Sequence, residues 1–278
     1  MNTMIKDIHA RALIDCKGKP LLEVDVITED GIMGRGASPS GISAGEHEAL
    51  VLRDGDKNWY DGQGVFKAVD TVKRVVAPML RGMNVLDQKK IDEALISLDG
   101  TKNKSVLGGN VTYSTSLAAM RAACQTLHLS QYRYLNGGEI KTIPLPTSDM
   151  FAGGSYEDDT MPVQETTVVP YKASSISEAV EILCKIYKKL PDVIRKFQGG
   201  RRPEIGAMSE YMAPTSDFTD CLDILYETAY QCRCEDKIAF HIDCAFSEIY
   251  EPRRDTYNYC GKELCLNEII DILKRATE

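Results

Sequence analysis

The stretch IAFHID, residues 238–243, alternates apolar side chains with other residues and ends on a carboxylate. This pattern predicts a strand over residues 238–242 and places Asp243 at the carboxyl end of that strand. Enzymes built on β/α barrels carry their chemistry at this end of the strands. Position alone leaves two interpretations equally open: Asp243 is either a metal ligand or a residue that caps the following loop.

The segments around this strand extend the pattern. Two strands are predicted before it, over residues 143–148 and 164–169, and the second is rich in β-branched residues. Amphipathic helices are predicted over residues 177–197, over residues 218–230, and over a last segment carrying Leu266, Ile269, Ile270 and Leu273. Pro191 is expected to end or kink the first helix. Strands alternating with helices build a parallel sheet or a barrel, but about three strands are too few to close one.

The first part of the chain has a different order of elements. The stretch LLEVDVI, residues 21–27, alternates apolar and acidic residues as a half-buried strand does. Residues 38–45, SPSGISAG, are small and turn-forming, which predicts a mobile loop. Three helices follow at 3.6-residue apolar spacing: Val65 to Leu80, Ile91 to Leu98 behind an Asp87 cap, and the alanine-rich Leu117 to Leu127. Strands followed by helices predict a compact α+β domain.

The length of 278 residues and the 43% hydrophobic content predict about two domains. The pattern of elements changes near the sequence Asn136-Gly137-Gly138. We therefore predict one domain over residues 1–138 and an incomplete second domain over residues 139–278.

The composition argues against several classes of partner. The formal net charge is −8 and the pI is about 5.2, without a block of Lys or Arg, which argues against nucleic acid. No apolar run has membrane-spanning length, and the N-terminus lacks the hydrophobic segment of a signal peptide. We therefore expect a cytoplasmic protein that does not bind a membrane.

The cysteines and histidines show no metal or catalytic spacing. Nine cysteines are scattered along the chain, and the closest pair, Cys232 and Cys234, forms neither a zinc knuckle nor a redox motif. We expect reduced thiols that pack as small apolar side chains. Three of the four histidines fall in the first region and His241 lies on a predicted strand. We expect all four to be structural or surface residues.

The order of motifs along the chain resembles that of the enolase family. The matching segments are AR (10–11), IDCKGKP (14–20), EVDV (23–26), SGISAG (40–45), EAL (48–50), LRDGD (52–56), LDGT (98–101), NKS (103–105), GGS (153–155), QE (164–165), Asp243 and SE (247–248). No single segment is decisive. The ordered series, spread over nearly the whole chain, makes the resemblance specific.

The resemblance implies an N-terminal α+β capping domain followed by an α/β TIM-like barrel, of which only the first strands and helices are present. It also implies phosphopyruvate hydratase activity, the Mg²⁺-dependent dehydration of 2-phosphoglycerate to phosphoenolpyruvate in glycolysis. In this chemistry a lysine base removes a proton next to a carboxylate, and magnesium ions stabilise the charge that develops. The implied partners are a small phosphorylated carboxylate substrate and a second copy of the chain in a homodimer.

Four residues receive site roles from the resemblance. Asp243 and Ser43 are implied as magnesium ligands, and the loop of Ser43 closes over the substrate in enolases. Gln164 and Glu165 match an adjacent pair that holds the substrate and its water, with Gln164 binding substrate and Glu165 catalytic. The residues alone leave other interpretations open. A serine in a glycine-rich loop usually serves the turn, and neighbours on a strand point to opposite faces, so one of the pair could be solvated.

Two motifs depart from the family pattern. Where enolases have a histidine after Gly-Gly-Ser, this chain has Tyr156, whose ordinary pKa of about 10 does not match that of histidine. Where they have an Asp-Glu-Gly-Gly segment before Ala-Pro, this chain has GAMSEYMAP, residues 206–214. The loss of a general acid typically costs on the order of 10²- to 10⁴-fold in rate.

Two alignments of this altered loop are available. Alignment on Ala213-Pro214 puts Ser209 at the position of the family's acid, and alignment on Gly206 puts Met208 there. Glu210 is one residue away in both alignments, so we expect its side chain to point elsewhere.

The remaining residues of the family site are expected on later strands of the barrel. They are two further acidic metal ligands, lysines and a phosphate-binding arginine. Enolase activity would therefore require strands beyond residue 278, from a longer protein or from a second polypeptide.

Three functions stay open. The first is an enolase-type lyase, and the second is a catalytically inactive paralogue that acts as a scaffold or binding subunit. The third is a superfamily enzyme that acts on another carboxylate substrate. A lysine on a later strand would support either enzyme, and its absence would favour the scaffold.

Overall fold

The computed structural model describes residues 1–39, 41, 45, 47–137, 140–154, 161–206 and 208–277. The chain forms two compact units, Met1–Thr142 and Ile143–Glu278, each with its own apolar core. The two domains with a boundary at residues 138 and 139 stay a prediction. None of the described helices is both long and apolar enough to cross a membrane.

The first unit is built on a three-stranded antiparallel sheet. Its strands are β1 (Ile5–Ile14), β2 (Pro20–Thr28) and β3 (Met33–Ser38), and β2 lies in the centre. The predicted strand over residues 21–27 is confirmed as β2, whose apolar residues point into the core. Half of the loop predicted over residues 38–45, namely residues 40 and 42–44, lies outside the described residues.

Helical segments pack against this sheet. They are α1 (Phe66–Thr71), a π-helical turn (Val72–Val76), α2 (Ala77–Leu80), α3 (Gln88–Asp99), α4 (Gly109–Leu127) and α5 (Gln131–Asn136). The three helices predicted from apolar spacing are confirmed. Asp87 stands just before α3, but its side chain accepts no hydrogen bond from the helix backbone, so the predicted cap is wrong in that respect.

Helix α4 lies directly on β3 because two glycines remove the side chains between them. A Cβ atom added to Gly34 would lie 2.1 Å from the carbonyl oxygen of Ala118, and one added to Gly36 would lie 2.2 Å from that of Ser114. No side chain fits such a gap, so this close approach requires glycine.

The second unit is built on a four-stranded mixed sheet. Its order is β6 (Tyr211–Met212), β4 (Ser148–Ala152), β5 (Glu165–Val169) and β7 (Ala239–Asp243). Strand β6 runs parallel to β4, whereas β5 runs antiparallel to both of its neighbours. The expectation of a parallel sheet is therefore wrong at β5, which returns beside β4 as in a hairpin.

The strand predicted over residues 143–148 is wrong, because β4 begins at Ser148 and residues 143–147 are irregular. Pro144 and Pro146 lie in that segment and cannot donate ladder hydrogen bonds, so strand pairing starts only after them. The strands predicted over residues 164–169 and 238–242 are confirmed as β5 and β7.

The described part of this unit contains three α-helices, α6 (Ile176–Phe197), α7 (Phe218–Gln231) and α8 (Leu266–Arg275). All three predicted helices are confirmed. Pro191 does not end α6, which continues to Phe197. The apolar face of α6 continues past the proline through buried Val193 and Ile194, and this packing offsets the lost backbone hydrogen bond.

A second, small antiparallel sheet was not predicted. It consists of β8 (Tyr250–Glu251), β9 (Thr256–Tyr259) and β10 (Lys262–Leu264). The four strands of the main sheet do not close on each other within the described residues, so this unit has the α/β content of a barrel and only part of its sheet. The expected fold class, an α+β unit followed by a partial α/β barrel, agrees with this architecture.

Candidate active site

Strand pairing brings Glu165 and Asp243 together. They are direct partners across the antiparallel pair β5 and β7, and the backbone N–H of Gln164 donates to the carbonyl oxygen of Asp243 at 2.9 Å. Directly opposite residues share a face of the sheet, with Cβ atoms about 5 Å apart. Two of the four predicted site residues are therefore neighbours at one edge of the sheet.

A third carboxylate lies on the next strand. Asp149 of β4 is paired with Thr167 of β5, and the Thr167 hydroxyl donates a hydrogen bond to the Asp149 carboxylate. Asp149 and Glu165 line one cavity of about 530 Å³. Its other lining residues are Thr147, Ser148, Tyr187, Met208, Ser209 and Glu210.

The surroundings of Glu165 change the pKa of its carboxyl group. Burial raises the pKa of the Glu165 carboxyl above its usual value, and the negative charge of Asp149 adds to this effect. A hydrogen bond from Gln164 acts in the opposite direction, while the charges of Asp243 and Glu210 raise the pKa further. Burial together with specific charged neighbours is the pattern that marks candidate functional carboxylates.

Gln164 lines a different cavity from Glu165. The residue is 7% exposed. Its cavity has a volume of about 480 Å³ and is also lined by Cys244, Glu248 and Tyr250. The two members of the adjacent pair thus line separate cavities.

Asp243 is exposed at the end of β7, and its carboxylate accepts a hydrogen bond of 3.1 Å from the backbone N–H of Ala245. Exposure alternates along β7, so Asp243 shares its face with His241 and Ala239. Ser43, the other predicted magnesium ligand, lies outside the described residues, and so does Tyr156.

The structure corrects the expectation for Glu210. The side chain was expected to point elsewhere, but Glu210 is only 6% exposed and lines the same cavity as Glu165. The reason is a tight turn in which the backbone N–H of Gly206 donates to the carbonyl oxygen of Glu210 at 2.7 Å. Ser209 within this turn has a φ of +74°, which changes the direction of the chain before Glu210.

His241 is a further residue on this face that the spacing of histidines did not single out. It is paired directly with Thr167, two residues along the strands from the Glu165 and Asp243 pair. Its position could have been predicted from the sequence, because His241 is two residues before Asp243 and residues two apart on a strand share a face.

A magnesium ion requires oxygen ligands arranged around it. Within the described residues, no group of three or more His, Cys, Asp or Glu side chains is arranged to hold a metal ion. Asp243 offers hard oxygen donors, and magnesium sites often use only one or two protein carboxylates together with waters and substrate oxygens. Asp243 therefore fits one ligand of such a site and does not form a complete one.

An α+β unit is followed along the chain by an α/β unit with carboxylates at strand ends, which is the order expected of a protein whose second domain belongs to the class of β/α barrels. Residues 5–135 match the family model of the enolase N-terminal domain, and residues 140–270 match that of the enolase C-terminal TIM barrel domain. The chain belongs to the enolase family. This membership supports a lyase of the enolase superfamily. The family generally depends on magnesium, binds small carboxylate substrates and oligomerises.

Proposed function

We propose that this chain is the capping domain and first barrel segment of a cytoplasmic enolase that dehydrates 2-phosphoglycerate to phosphoenolpyruvate in glycolysis. The observation that carries the proposal is the direct pairing of Glu165 and Asp243 at one edge of the sheet, beside a cavity that raises the pKa of Glu165. Family membership supports the reaction class, and the homodimer is part of the same proposal.

Glu165 is the catalytic carboxyl in this proposal. A raised pKa keeps more of the carboxyl protonated near neutral pH, so Glu165 can give a proton to the departing hydroxyl group, which leaves as water. Gln164, the preceding residue, offers its amide to the substrate. Glu210 is a second carboxyl in the same cavity and can hold the water molecule beside Glu165.

Asp243 and Ser43 would hold magnesium, which supplies positive charge next to the substrate carboxylate when it is bound. The base that removes the α-proton, the other acidic ligands and the phosphate-binding arginine would come from further barrel strands. No lysine or arginine of the described residues forms an ion pair with Asp149, Glu165 or Asp243. Cationic side chains or magnesium ions in the completed site would balance these charges.

The test is formation of phosphoenolpyruvate from 2-phosphoglycerate with Mg²⁺, measured on the longest natural form of the protein. We expect turnover that EDTA abolishes, and a 10²- to 10⁴-fold lower kcat for Glu165→Gln. Asp243→Asn should raise the magnesium concentration needed for half-maximal activity. The matched control is Asp223→Asn, which removes an exposed carboxylate on α7 and should leave the rate unchanged. Absence of turnover above background would overturn the proposal.

A catalytically inactive family member that acts as a scaffold or binding subunit is the second candidate. It is favoured by the incomplete set of metal donors within the described residues and by the altered sequence of residues 206–214. An enzyme for another carboxylate substrate would share the same residues. Turnover of other 2-hydroxy carboxylates, without turnover of 2-phosphoglycerate, would favour it.

A further inference from the structure

The turn that carries Glu210 is closed at its base by backbone hydrogen bonds. Ile205 and Tyr211 form an antiparallel bridge, and the backbone N–H of Met212 donates to the carbonyl oxygen of Glu204 at 3.0 Å. On the far side, Tyr211 belongs to β6, which is paired with β4. The base of the turn is therefore fixed to the main sheet. At its tip, the backbone N–H of Ser209 donates to the carbonyl oxygen of Gly206 at 3.2 Å, a long hydrogen bond within the turn itself.

The tip contains a backbone conformation that is unfavourable for its residue. Ser209 has a φ of +74°, in the left-handed region that side-chain-bearing residues seldom adopt. Such a conformation persists where surrounding contacts hold it, and it is frequent at functional sites. Ser209 is exposed, so packing of its own side chain does not hold it in place.

The contact that holds the tip comes from Tyr187 on α6. The Tyr187 hydroxyl donates a hydrogen bond of 2.6 Å to the carbonyl oxygen of Ser209, directly before Glu210. The Tyr187 ring also packs against the ring of Tyr211, with 5.2 Å between the two ring centroids. Tyr187 thus contacts both the tip and the base of the turn. It lies on a long helix that is packed into the core.

We propose that Tyr187 is a positioning residue, which holds Ser209 so that Glu210, the next residue, stays in the cavity beside Glu165. The role of Glu210 in catalysis rests on the function proposed above, but its placement by Tyr187 does not. The altered loop sequence thus keeps a carboxyl in the cavity through a contact that lies outside the loop.

The first test measures how well the turn is held. Glutamyl endopeptidase, which cleaves after glutamate, is added to the native full chain, and the fragment ending at Glu210 is quantified by mass spectrometry. Cleavage after Glu48, an exposed residue of the first unit, is the internal reference. Tyr187→Phe should raise the relative rate of cleavage after Glu210 at least tenfold, because it removes the hydroxyl that donates to the carbonyl oxygen of Ser209 and leaves the ring in place. Tyr226→Phe, which alters an exposed tyrosine on α7, should change it less than twofold.

The second test asks whether Tyr187 acts on Glu165 through Glu210. Glu165→Gln relieves repulsion between carboxylates and should raise the urea midpoint of unfolding. This rise should be smaller in the Tyr187→Phe background, where Glu210 is no longer held close. In the Glu210→Gln background the two substitutions should be additive, because the charge that links them is gone.

The two tests decide the proposal without any enzyme assay. Unchanged cleavage after Glu210 in Tyr187→Phe, or a coupling that persists in Glu210→Gln, would overturn it. In the phosphoenolpyruvate assay, Tyr187→Phe should lower kcat at least tenfold with KM within twofold of wild type. A protein without turnover would refute the proposed function, while the proteolysis and coupling results would still decide the role of Tyr187.

Discussion

The sheets of the two units surround their carboxylates in opposite ways. In the first unit Asp25 is 3% exposed and lies between Arg11 and Arg35, whose guanidinium groups both donate to it. In the second unit Glu165 lies among other acidic groups, and within the described residues no lysine or arginine forms an ion pair with it. Two arginines thus balance the charge of Asp25, whereas no lysine or arginine among the described residues pairs with Glu165.

The pKa shifts of the two carboxyls have opposite signs. Burial raises the pKa of Asp25, but the hydrogen bonds from Arg35 and Arg11 outweigh it and hold the pKa below the usual value. For Glu165 burial and neighbouring charges act together and raise the pKa. A charge that the fold itself neutralises stabilises the fold, and a charge left uncompensated at a cavity is available for chemistry.

The largest loss of stability is expected from a substitution at Gly34, where α4 lies directly on β3. Gly34→Ala would place a Cβ atom 2.1 Å from backbone atoms of α4, so the helix must move away from β3. We expect a loss of about 3–5 kcal/mol in the free energy of unfolding. The measurement is urea unfolding followed by the fluorescence of Trp59, the only tryptophan, which lies in this unit.

The matched control for Gly34 is Gly45→Ala, whose Cβ atom would meet nothing closer than 3.6 Å. We expect a change within about 0.5 kcal/mol. Equal effects of the two substitutions would contradict the close approach of α4 to β3.

Removal of the charge of Asp25 should have the next largest effect. Asp25→Asn weakens the hydrogen bonds from both arginines, and we expect a loss of about 1.5–3 kcal/mol at neutral pH. Because the folded pKa is lowered, this stabilisation is full above the unfolded pKa of about 3.9 and is lost as the pH falls through the folded pKa. Urea unfolding at several pH values measures the difference between variant and wild type.

Glu29→Gln, which alters an exposed acid just after the same strand, provides the control for Asp25 and should change stability by less than about 0.5 kcal/mol. A loss for Asp25→Asn that stays constant down to low pH would argue against a charge-dependent role for Asp25.

Helix-starting acids provide a second pair for the comparison. The Asp217 carboxylate accepts a hydrogen bond of 2.9 Å from the backbone N–H of Thr219 in α7, whereas Asp87 makes no such bond to α3. We expect Asp217→Ala to cost about 1 kcal/mol and Asp87→Ala clearly less, each measured by urea unfolding. Equal losses would show that the charge near the helix start, and not the cap bond, is what matters.

The fold could largely be predicted from the sequence, because most elements have a clear period. The apolar spacing of α6 and the alternation of β2 identified these elements without further information. The start of β4 was misplaced because the apolar residues before it resemble a strand, although the prolines among them prevent pairing. The direction of β5 could not be predicted, since alternation carries no information on strand direction.

The candidate site was less accessible to prediction. Asp243 and Glu165 were singled out from the sequence, but their direct contact depends on the antiparallel pairing of β5 and β7. The Glu210 side chain was expected to point away from the site because it is one residue out of register with the family's acid. That expectation assumes a regular backbone. The left-handed Ser209 breaks that assumption, and the contact that holds it comes from a helix distant in sequence.

The smallest expected change in the free energy of unfolding is that of Glu165→Gln, and it is a gain in stability where the other substitutions cause a loss. Glu165→Gln removes a charge that no lysine or arginine of the described residues pairs with, so it should raise the free energy of unfolding at neutral pH, by less than about 1 kcal/mol. Because the folded pKa is raised, wild type loses stability as the pH rises from the unfolded pKa of about 4.3 through the folded pKa. The variant should lack this loss, so its advantage should grow with pH, in contrast to the behaviour of Asp25→Asn. Urea unfolding followed by circular dichroism between pH 4 and pH 8 measures the trend, and a variant less stable than wild type throughout that range would mean that Glu165 is a structural carboxylate like Asp25.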